Sequence, residues 1–332
     1  MSRMLFKLCG LAAALMIGRI TAAPVQAVIV DGAAGDNSVT QPVSPVAGLN
    51  NVGSIPAVYQ VVANSSGVYL GNGWVLTAYH IGTVTSETNF ILGGNTFTPD
   101  GSVQRIYADQ ANQTGPTDMM MFHLKTTPNP VLFPNLTLSS ATPSDGTPFY
   151  TKGNGLTRST SLAYYYVTST NNNNSAPYTW TPTTATDPNE NASGYTESQP
   201  NILWYGSNTV ANPGGMTFIS SPNNGSYGST VDFASNFLQN GDAQLSPGDS
   251  GGGVFDANNN LIGINETTFP TTVPLEYQPA NTAIFGDASG YMDIATYRTQ
   301  IEGILATPEP GTIGLLLCSV PMLLRRRRRR AA

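Results

Sequence analysis

Short apolar or alternating runs, separated by Gly, Pro and Asn clusters, most constrain the fold of this chain. Examples are residues 57–62, 73–77, 117–124 and 261–264. Such runs are typical of strands in an all-β sandwich or barrel, and no long stretch has helical periodicity. The one helix predicted is the last segment before the C-terminal tail, residues 294–305.

Residues 169–200 depart from this pattern. The segment is polar, poor in aliphatic side chains and rich in Asn and Thr. Low hydrophobicity leaves little surface to bury. We therefore expect a long exposed loop or a weak insertion there.

The N-terminus, residues 1–27, has the pattern of a secretory signal peptide. A basic start precedes a short apolar core and a Val-x-Ala exit that ends at Ala27. This order predicts export and cleavage after Ala27. The alternative is an N-terminal membrane anchor, although the apolar core is short for a span.

The C-terminus, residues 307–332, combines three features. Pro308, Glu309 and Pro310 precede a mostly apolar stretch, and six arginines follow at 325–330. This order resembles the PEP-CTERM sorting tail of certain Gram-negative bacteria. The resemblance implies that the inner membrane holds the chain transiently, until an exosortase-type enzyme cuts it. The mature protein would then reach the envelope surface or the extracellular space. Arginines resist translocation, so they would stay on the cytoplasmic side of the membrane. The apolar stretch is short for a stable transmembrane helix, which suits a transient stop. A permanent membrane anchor is the alternative.

Composition limits the remaining function classes. Both cysteines, Cys9 and Cys318, lie in the two ends, so the region 28–306 has no disulfide and depends on burial for its stability. That region holds five basic and nineteen acidic residues, a net charge of −14. Such a surface argues against nucleic acid as a partner.

One serine lies in a motif suited to nucleophilic catalysis. Ser250 is the centre of the run 248–252, Gly-Asp-Ser-Gly-Gly. A serine hydroxyl needs a base to take its proton, and the reaction needs N–H donors for the oxyanion. The glycines permit a tight turn in which the N–H groups of Gly248 and Ser250 point at one spot. An ordinary glycine-rich hairpin is the alternative.

Two histidines, His80 and His123, are available as the base. The run 75–80, Val-Leu-Thr-Ala-Tyr-His, and the Ser250 motif both resemble motifs of the chymotrypsin/trypsin-like serine peptidases. Asp118, followed by an apolar strand, resembles the family's aspartate motif, and the order His, Asp, Ser is the family's order. The likeness covers roughly residues 28–305.

This resemblance implies an all-β fold of two six-stranded antiparallel β-barrels with a short C-terminal helix, spanning residues 28–306. It implies a catalytic triad of His80, Asp118 and Ser250, an oxyanion hole at Gly248 and Ser250, and no cofactor or metal. His80 would be the general base, Asp118 would fix its tautomer, and Ser250 would form the acyl-enzyme.

The resemblance also bears on activation and specificity. Gln244 occupies the position that lines the base of the family's primary pocket, and Gly290 lies on its closing strand. Since Gln244 has no charge, strict cleavage after Arg or Lys is not expected; Asp242 and Glu266 are other acidic residues that could reach this pocket. Cleavage after Ala27 would create an amino terminus at Val28 that resembles the terminus paired with the acid before the nucleophile, here Asp249.

The sequence therefore predicts an exported serine endopeptidase acting on proteins or peptides. Two alternatives stay open. One is a non-catalytic surface or matrix protein that uses the same fold for binding. The other is an extracellular hydrolase of ester substrates.

Overall fold

The computed structural model describes residues 28–32, 44–57, 64–109, 111–169, 177–219, 229–271 and 273–306. The predicted signal peptide and sorting tail lie outside these ranges, as does most of the apolar run 57–62. Within the described ranges, no helix has both the length and the apolar character needed to cross a membrane.

The first half of the chain forms a curled antiparallel sheet. After β1 (Ile29–Val30), it contains β2 (Val52–Ile55), β3 (Ser65–Gly71), β4 (Trp74–Ala78), β5 (Phe90–Leu92), β6 (Asn95–Phe97), β7 (Pro99–Asp109) and β8 (Thr114–Leu124). The strand order is β6-β5-β2-β3-β4-β8-β7. A 3-10 turn at Ala47–Asn51 precedes β2, and another at Tyr79–Ile81 follows β4.

The second half forms a second sheet of the same kind. Its strands are β9 (Thr137–Leu138), β10 (Pro148–Gly153), β15 (Trp204–Thr209), β16 (Ala211–Ile219), β17 (Ser229–Asn236), β19 (Gly253–Asp256), β20 (Asn260–Phe269) and β22 (Ala288–Asp293). The order is β15-β10-β19-β20-β22-β17-β16, and β9 pairs with β20 in parallel. The helix α1 (Ile294–Leu305) follows β22 directly.

The predicted fold class is confirmed: two curled, mainly antiparallel sheets and a short C-terminal helix form a two-barrel fold of the trypsin type. The sheets contain seven and eight strands, where six were predicted for each. Short edge strands such as β6 and β9 account for part of this difference. The helix has the predicted bounds.

The segment 169–200, predicted to be a long exposed loop or a weak insertion, is not a loop throughout, because it contains two strands. Residues 178–183 and 192–198 form β13 (Tyr178–Thr183) and β14 (Ala192–Ser198). They belong to a third sheet with β11 (Thr157–Arg158), β12 (Ala163–Ser169) and β21 (Thr282–Ile284), while β18 (Ala243–Gln244) pairs with β1. The Thr, Tyr and Trp residues of this segment favour strands once partner strands are present, and β12 and β21 supply those partners.

Apolar side chains of each main sheet form a core. The cluster within the second sheet consists of Phe149, Val210, Phe233, Leu245, Val254, Ile262 and Tyr291. The larger cluster holds the apolar side chains of the first sheet and of α1, including Ile294 and Ile301. Burial of this kind stabilises by roughly 25 cal/mol per Å². The two sheets meet where β3 contacts the 248–252 turn: the Ser66 N–H donates to the Ser250 carbonyl over 2.9 Å.

Candidate active site

His80 and Asp118 are brought together by strand pairing. β4 and β8 are antiparallel, and Ala78 lies opposite Met119. His80 therefore emerges from the end of β4 beside Asp118. The His80 N–H donates to Asp118 Oδ1 over 2.8 Å, and Nδ1 lies 2.5 Å from Oδ2. The backbone N–H fixes the Asp118 carboxylate, and the carboxylate in turn orients the imidazole through Nδ1.

Asp118 is completely buried. Its own N–H donates to the Thr230 hydroxyl over 3.0 Å, which ties β8 of the first sheet to β17 of the second. Nothing in the sequence marked Thr230 as part of the site, because threonines are common throughout this chain. Hydrogen bonds to His80 of the first sheet and Thr230 of the second therefore hold Asp118 in one position.

Ser250 lies in the turn before β19, and its Oγ is 2.7 Å from His80 Nε2. The backbone of the turn is fixed on both sides. The Ser250 carbonyl accepts from Ser66, and the Gly251 N–H donates to the Asn265 carbonyl over 2.9 Å. The structure thus brings the three predicted catalytic residues into one hydrogen-bonded chain, Asp118–His80–Ser250.

The N–H groups of the turn divide into two sets. Those of Asp249, Gly251 and Gly252 donate to backbone carbonyls. For Gly248 and Ser250, in contrast, no residue in the described part of the chain accepts a hydrogen bond from the N–H. Gly248 has a φ of +108°, a conformation that favours glycine. Two donors of the predicted oxyanion hole are thus without acceptors.

Asp249 points away from this site into the protein interior. Its Oδ2 accepts from the Ser246 N–H over 2.7 Å. Complete burial raises the pKa of Asp249 to about 7, while the N–H groups of Ser246, Gly155 and Val28 act in the opposite direction. Val28 is itself buried beside this carboxyl group. The residue predicted to become the amino terminus is therefore near Asp249.

A cavity of about 170 Å³ lies beside Ser250 and is lined by Leu245, Ser246, Pro247, Ser250, Glu266, Thr267 and Thr268. Gln244 and Gly290 are not among these residues. Gln244 is buried in β18, and its Nε2 donates to Asp287 Oδ2 over 3.3 Å. Gly290 lies in β22, paired with Ala234 of β17. Their predicted part in substrate binding stays a prediction.

Two further carboxyl groups lie next to Asp118. Glu266, on β20, is within hydrogen-bonding reach of Asp118 and of Asp232, on β17. Sequence reasoning considered Glu266 only as a source of pocket charge and missed Asp232, since nothing local marks either residue. No group of His, Cys, Asp and Glu side chains in the described ranges is arranged to hold a metal ion.

The second histidine lies apart from this constellation. His123 Nδ1 is 2.7 Å from Asp100 Oδ2, and Nε2 is 3.2 Å from the Asn72 carbonyl oxygen. Its ring packs edge-on against Trp74 at 5.0 Å. These contacts give His123 a structural role in the first sheet.

Comparison with known proteins gives one family match. The family model described as Trypsin matches residues 49–194, a range that includes His80 and Asp118 but ends before Ser250. No curated protein matches the sequence significantly.

Several solved structures are similar in shape. The chain is similar to the active form of the Rv3671c protease from M. tuberculosis, at 12% identity and a TM-score of 0.45, over 80% of this chain and 84% of that one. It is similar to human heparin binding protein, at 15% identity and a TM-score of 0.48, over 81% and 97%. It is also similar to the scabies mite inactivated protease paralogue S-I1, at 13% identity and 0.48, over 80% and 99%. None of these likenesses by itself carries an inference about activity.

The family match and the two-barrel fold together support a relationship between this chain and the chymotrypsin/trypsin-like serine peptidases, and hence a function of the serine-protease type.

Proposed function

We propose that the chain is a serine endopeptidase in which Ser250 is the nucleophile, His80 the general base and Asp118 the group that orients His80. The observation that carries this proposal is the continuous hydrogen-bonded chain from buried Asp118 through His80 to the Ser250 hydroxyl. A hydroxyl within 2.7 Å of an imidazole nitrogen can transfer its proton as it attacks a carbonyl.

The proposed reaction has two halves. Ser250 Oγ attacks the scissile carbonyl while His80 Nε2 takes its proton, and the oxyanion accepts hydrogen bonds from the Gly248 and Ser250 N–H groups. His80 then gives the proton to the leaving amine, which breaks the peptide bond and leaves an acyl-enzyme. A water molecule, deprotonated by His80, releases the acid product. Asp118 keeps the Nδ1 proton in place throughout.

The cavity beside Ser250 is proposed to receive the substrate side chain that precedes the cleaved bond. Gln244 is proposed to lie below this cavity, and Gly290 to leave room for it. An amide at the base offers hydrogen bonds but no full charge, so Arg or Lys would gain no ion pair from Gln244. We therefore expect no dominant preference for basic residues.

Export is a further proposal and rests on the two ends of the chain. Removal of residues 1–27 and of the tail after Pro308 would leave an acidic domain at the envelope surface or outside the cell. Mass spectrometry of the protein from its host tests this. Arginines 325–330 still present on the surface-located protein would contradict the processing proposal.

The test of catalysis uses a fluorophosphonate probe that labels activated serines, together with peptide-library cleavage. Ser250→Ala should abolish labelling, and His80→Ala should lower kcat/KM by about 10⁴-fold. Ser161→Ala, at an exposed serine, is the matched control and should behave as wild type. The library should show no dominant Arg or Lys preference.

Two results would contradict the proposal. Near-normal cleavage by either site variant would refute the triad assignment. Wild-type protein that folds but neither labels nor cleaves would instead favour a binding module with the same fold.

A further inference from the structure

An unusual group of three carboxyls surrounds the inner side of the candidate site. Asp118 lies on β8, Asp232 on β17 and Glu266 on β20, and the Glu266 carboxyl reaches both of the others. The exposed fractions of Asp118, Asp232 and Glu266 are 0%, 1% and 5%. Solvent therefore screens their charges only weakly, and three adjacent carboxylates would repel one another strongly.

The three carboxyl groups differ in the hydrogen bonds that they accept. Asp118 accepts from the N–H and from Nδ1 of His80. The four carboxyl oxygens of Asp232 and Glu266, in contrast, are buried and receive a hydrogen bond from no donor in the described part of the chain. Ionised carboxylates only accept hydrogen bonds, so two of them cannot satisfy each other. A proton on one of the two groups would supply the missing donor.

Among the described residues, the groups named as acting on this pair are acidic or phenolic. Asp118 and Asp293 are acidic, and Tyr297 of α1 contributes a phenol. His80 contacts Asp118. Burial, then the neighbouring carboxyls Asp232 and Asp118, raise the pKa of Glu266 well above its ordinary value. Burial also raises the pKa of Asp232, to about 6.

We propose that Glu266 is a positioning residue that remains a neutral carboxylic acid at the pH at which His80 works, and that its O–H donates a hydrogen bond to the Asp118 carboxylate. Asp118 is then held by a donor on its inner side, and Glu266 adds no negative charge beside it. This inference rests on the proposed function, because it assigns a role towards His80 and Ser250.

The experiment measures the rate of fluorophosphonate labelling of Ser250 against pH in the full chain. Glu266→Gln keeps a neutral donor of nearly the same shape, so it should retain at least about a third of the wild-type rate, with the same midpoint of the rising limb. Glu266→Ala removes the donor, and its rate should fall by about tenfold or more. Glu87→Gln makes the same chemical change at an exposed position and should match wild type.

Three outcomes would overturn the proposal. A rising limb displaced to lower pH in Glu266→Gln would mean that Glu266 is ionised in the wild type, since the substitution would then remove a negative charge near the His80 imidazolium. Equal rates in Glu266→Ala and Glu266→Gln would rule out positioning. A labelling rate that EDTA lowers in wild type but not in Glu266→Gln would point to a metal ion in place of the proton.

Infrared spectroscopy detects directly whether the Glu266 carboxyl group carries a proton, and it does not depend on activity. The difference spectrum of wild type minus Glu266→Gln at neutral pH should contain the carbonyl band of a protonated carboxylic acid, and a carboxylate band in its place would refute the assignment. If wild type fails to label but shows the acid band, the proposed function fails while the protonation of Glu266 stands. The infrared measurement on Glu266→Gln also serves if Glu266→Ala does not fold.

Discussion

Gly251 follows the proposed nucleophile and has a φ of +82°. A Cβ at this position would collide with the Thr77 hydroxyl and with the Ser66 carbonyl oxygen. Both contacts belong to the first sheet, so the close approach of the two sheets depends on the missing side chain. The turn that presents Ser250 is thus shaped by its neighbours as well as by its own sequence.

Gly251→Ala should lower the free energy of unfolding by about 3 kcal/mol, because backbone strain and a steric collision add. Gly241→Ala is the matched control, since Gly241 has a similar φ of +87° but nothing within 4 Å of a Cβ; it should cost about 1 kcal/mol. Urea unfolding of the two variants measures both values. Equal losses would show that the sheets do not restrict position 251.

At the scale of secondary-structure elements, the N-cap residue of α1, Asp293, accepts several hydrogen bonds. The Asp293 Oδ1 accepts from the Ala295 N–H over 3.1 Å and caps the helix. Its Oδ2 accepts from the hydroxyls of Thr296, at 2.7 Å, and of Thr142, at 2.5 Å. The cap therefore also holds the helix against the segment between β9 and β10.

Asp293→Ala should destabilise the protein by about 2 kcal/mol, the upper end for loss of an N-cap. Glu302→Ala, in the same helix, removes an exposed ion pair with Arg298 and should cost less than about 0.5 kcal/mol. Thermal or urea unfolding distinguishes the two. A loss at Asp293 no larger than that at Glu302 would mean that water replaces the cap without cost.

At the scale of the whole molecule, buried acids determine how stability depends on pH. Asp249 and Asp232 have pKa values raised by burial, to about 7 and about 6. Both groups therefore bind their protons more tightly in the folded than in the unfolded chain. Their contribution to stability is complete below the unfolded value near 4 and is lost as pH rises through 6 to 7.

The unfolding free energy of the unprocessed chain should therefore fall between about pH 4 and pH 7, by about 1.4 kcal/mol per pH unit for each of the two groups that is protonated in the folded chain and ionised in the unfolded chain. Two Ser250→Ala proteins, one starting at Val28 and one with Ala27 retained, provide the comparison without self-digestion. An amino group at Val28 would stabilise the Asp249 carboxylate, so the shorter chain should lose less stability. Identical slopes would show that the new terminus does not reach Asp249.

The sequence by itself determined the features that depend on local patterns. Short runs between Gly, Pro and Asn clusters predicted the all-β class, and residues 294–305 were predicted as the one helix. The motifs around His80, Asp118 and Ser250 named three residues that the structure places in hydrogen-bonding contact. Motifs and short strand-like runs depend on a few neighbouring residues, which is why a single sequence can reveal them.

Only the tertiary structure decided the features that depend on distant partners. Residues 178–183 and 192–198 become strands because β12 and β21 lie beside them, although their polar composition suggested a loop. Glu266 and Asp232 become a buried pair because β20 and β17 bring them next to each other and to Asp118. Burial and proximity set the proton affinity of a carboxyl group, and both arise from contacts between strands far apart in the chain.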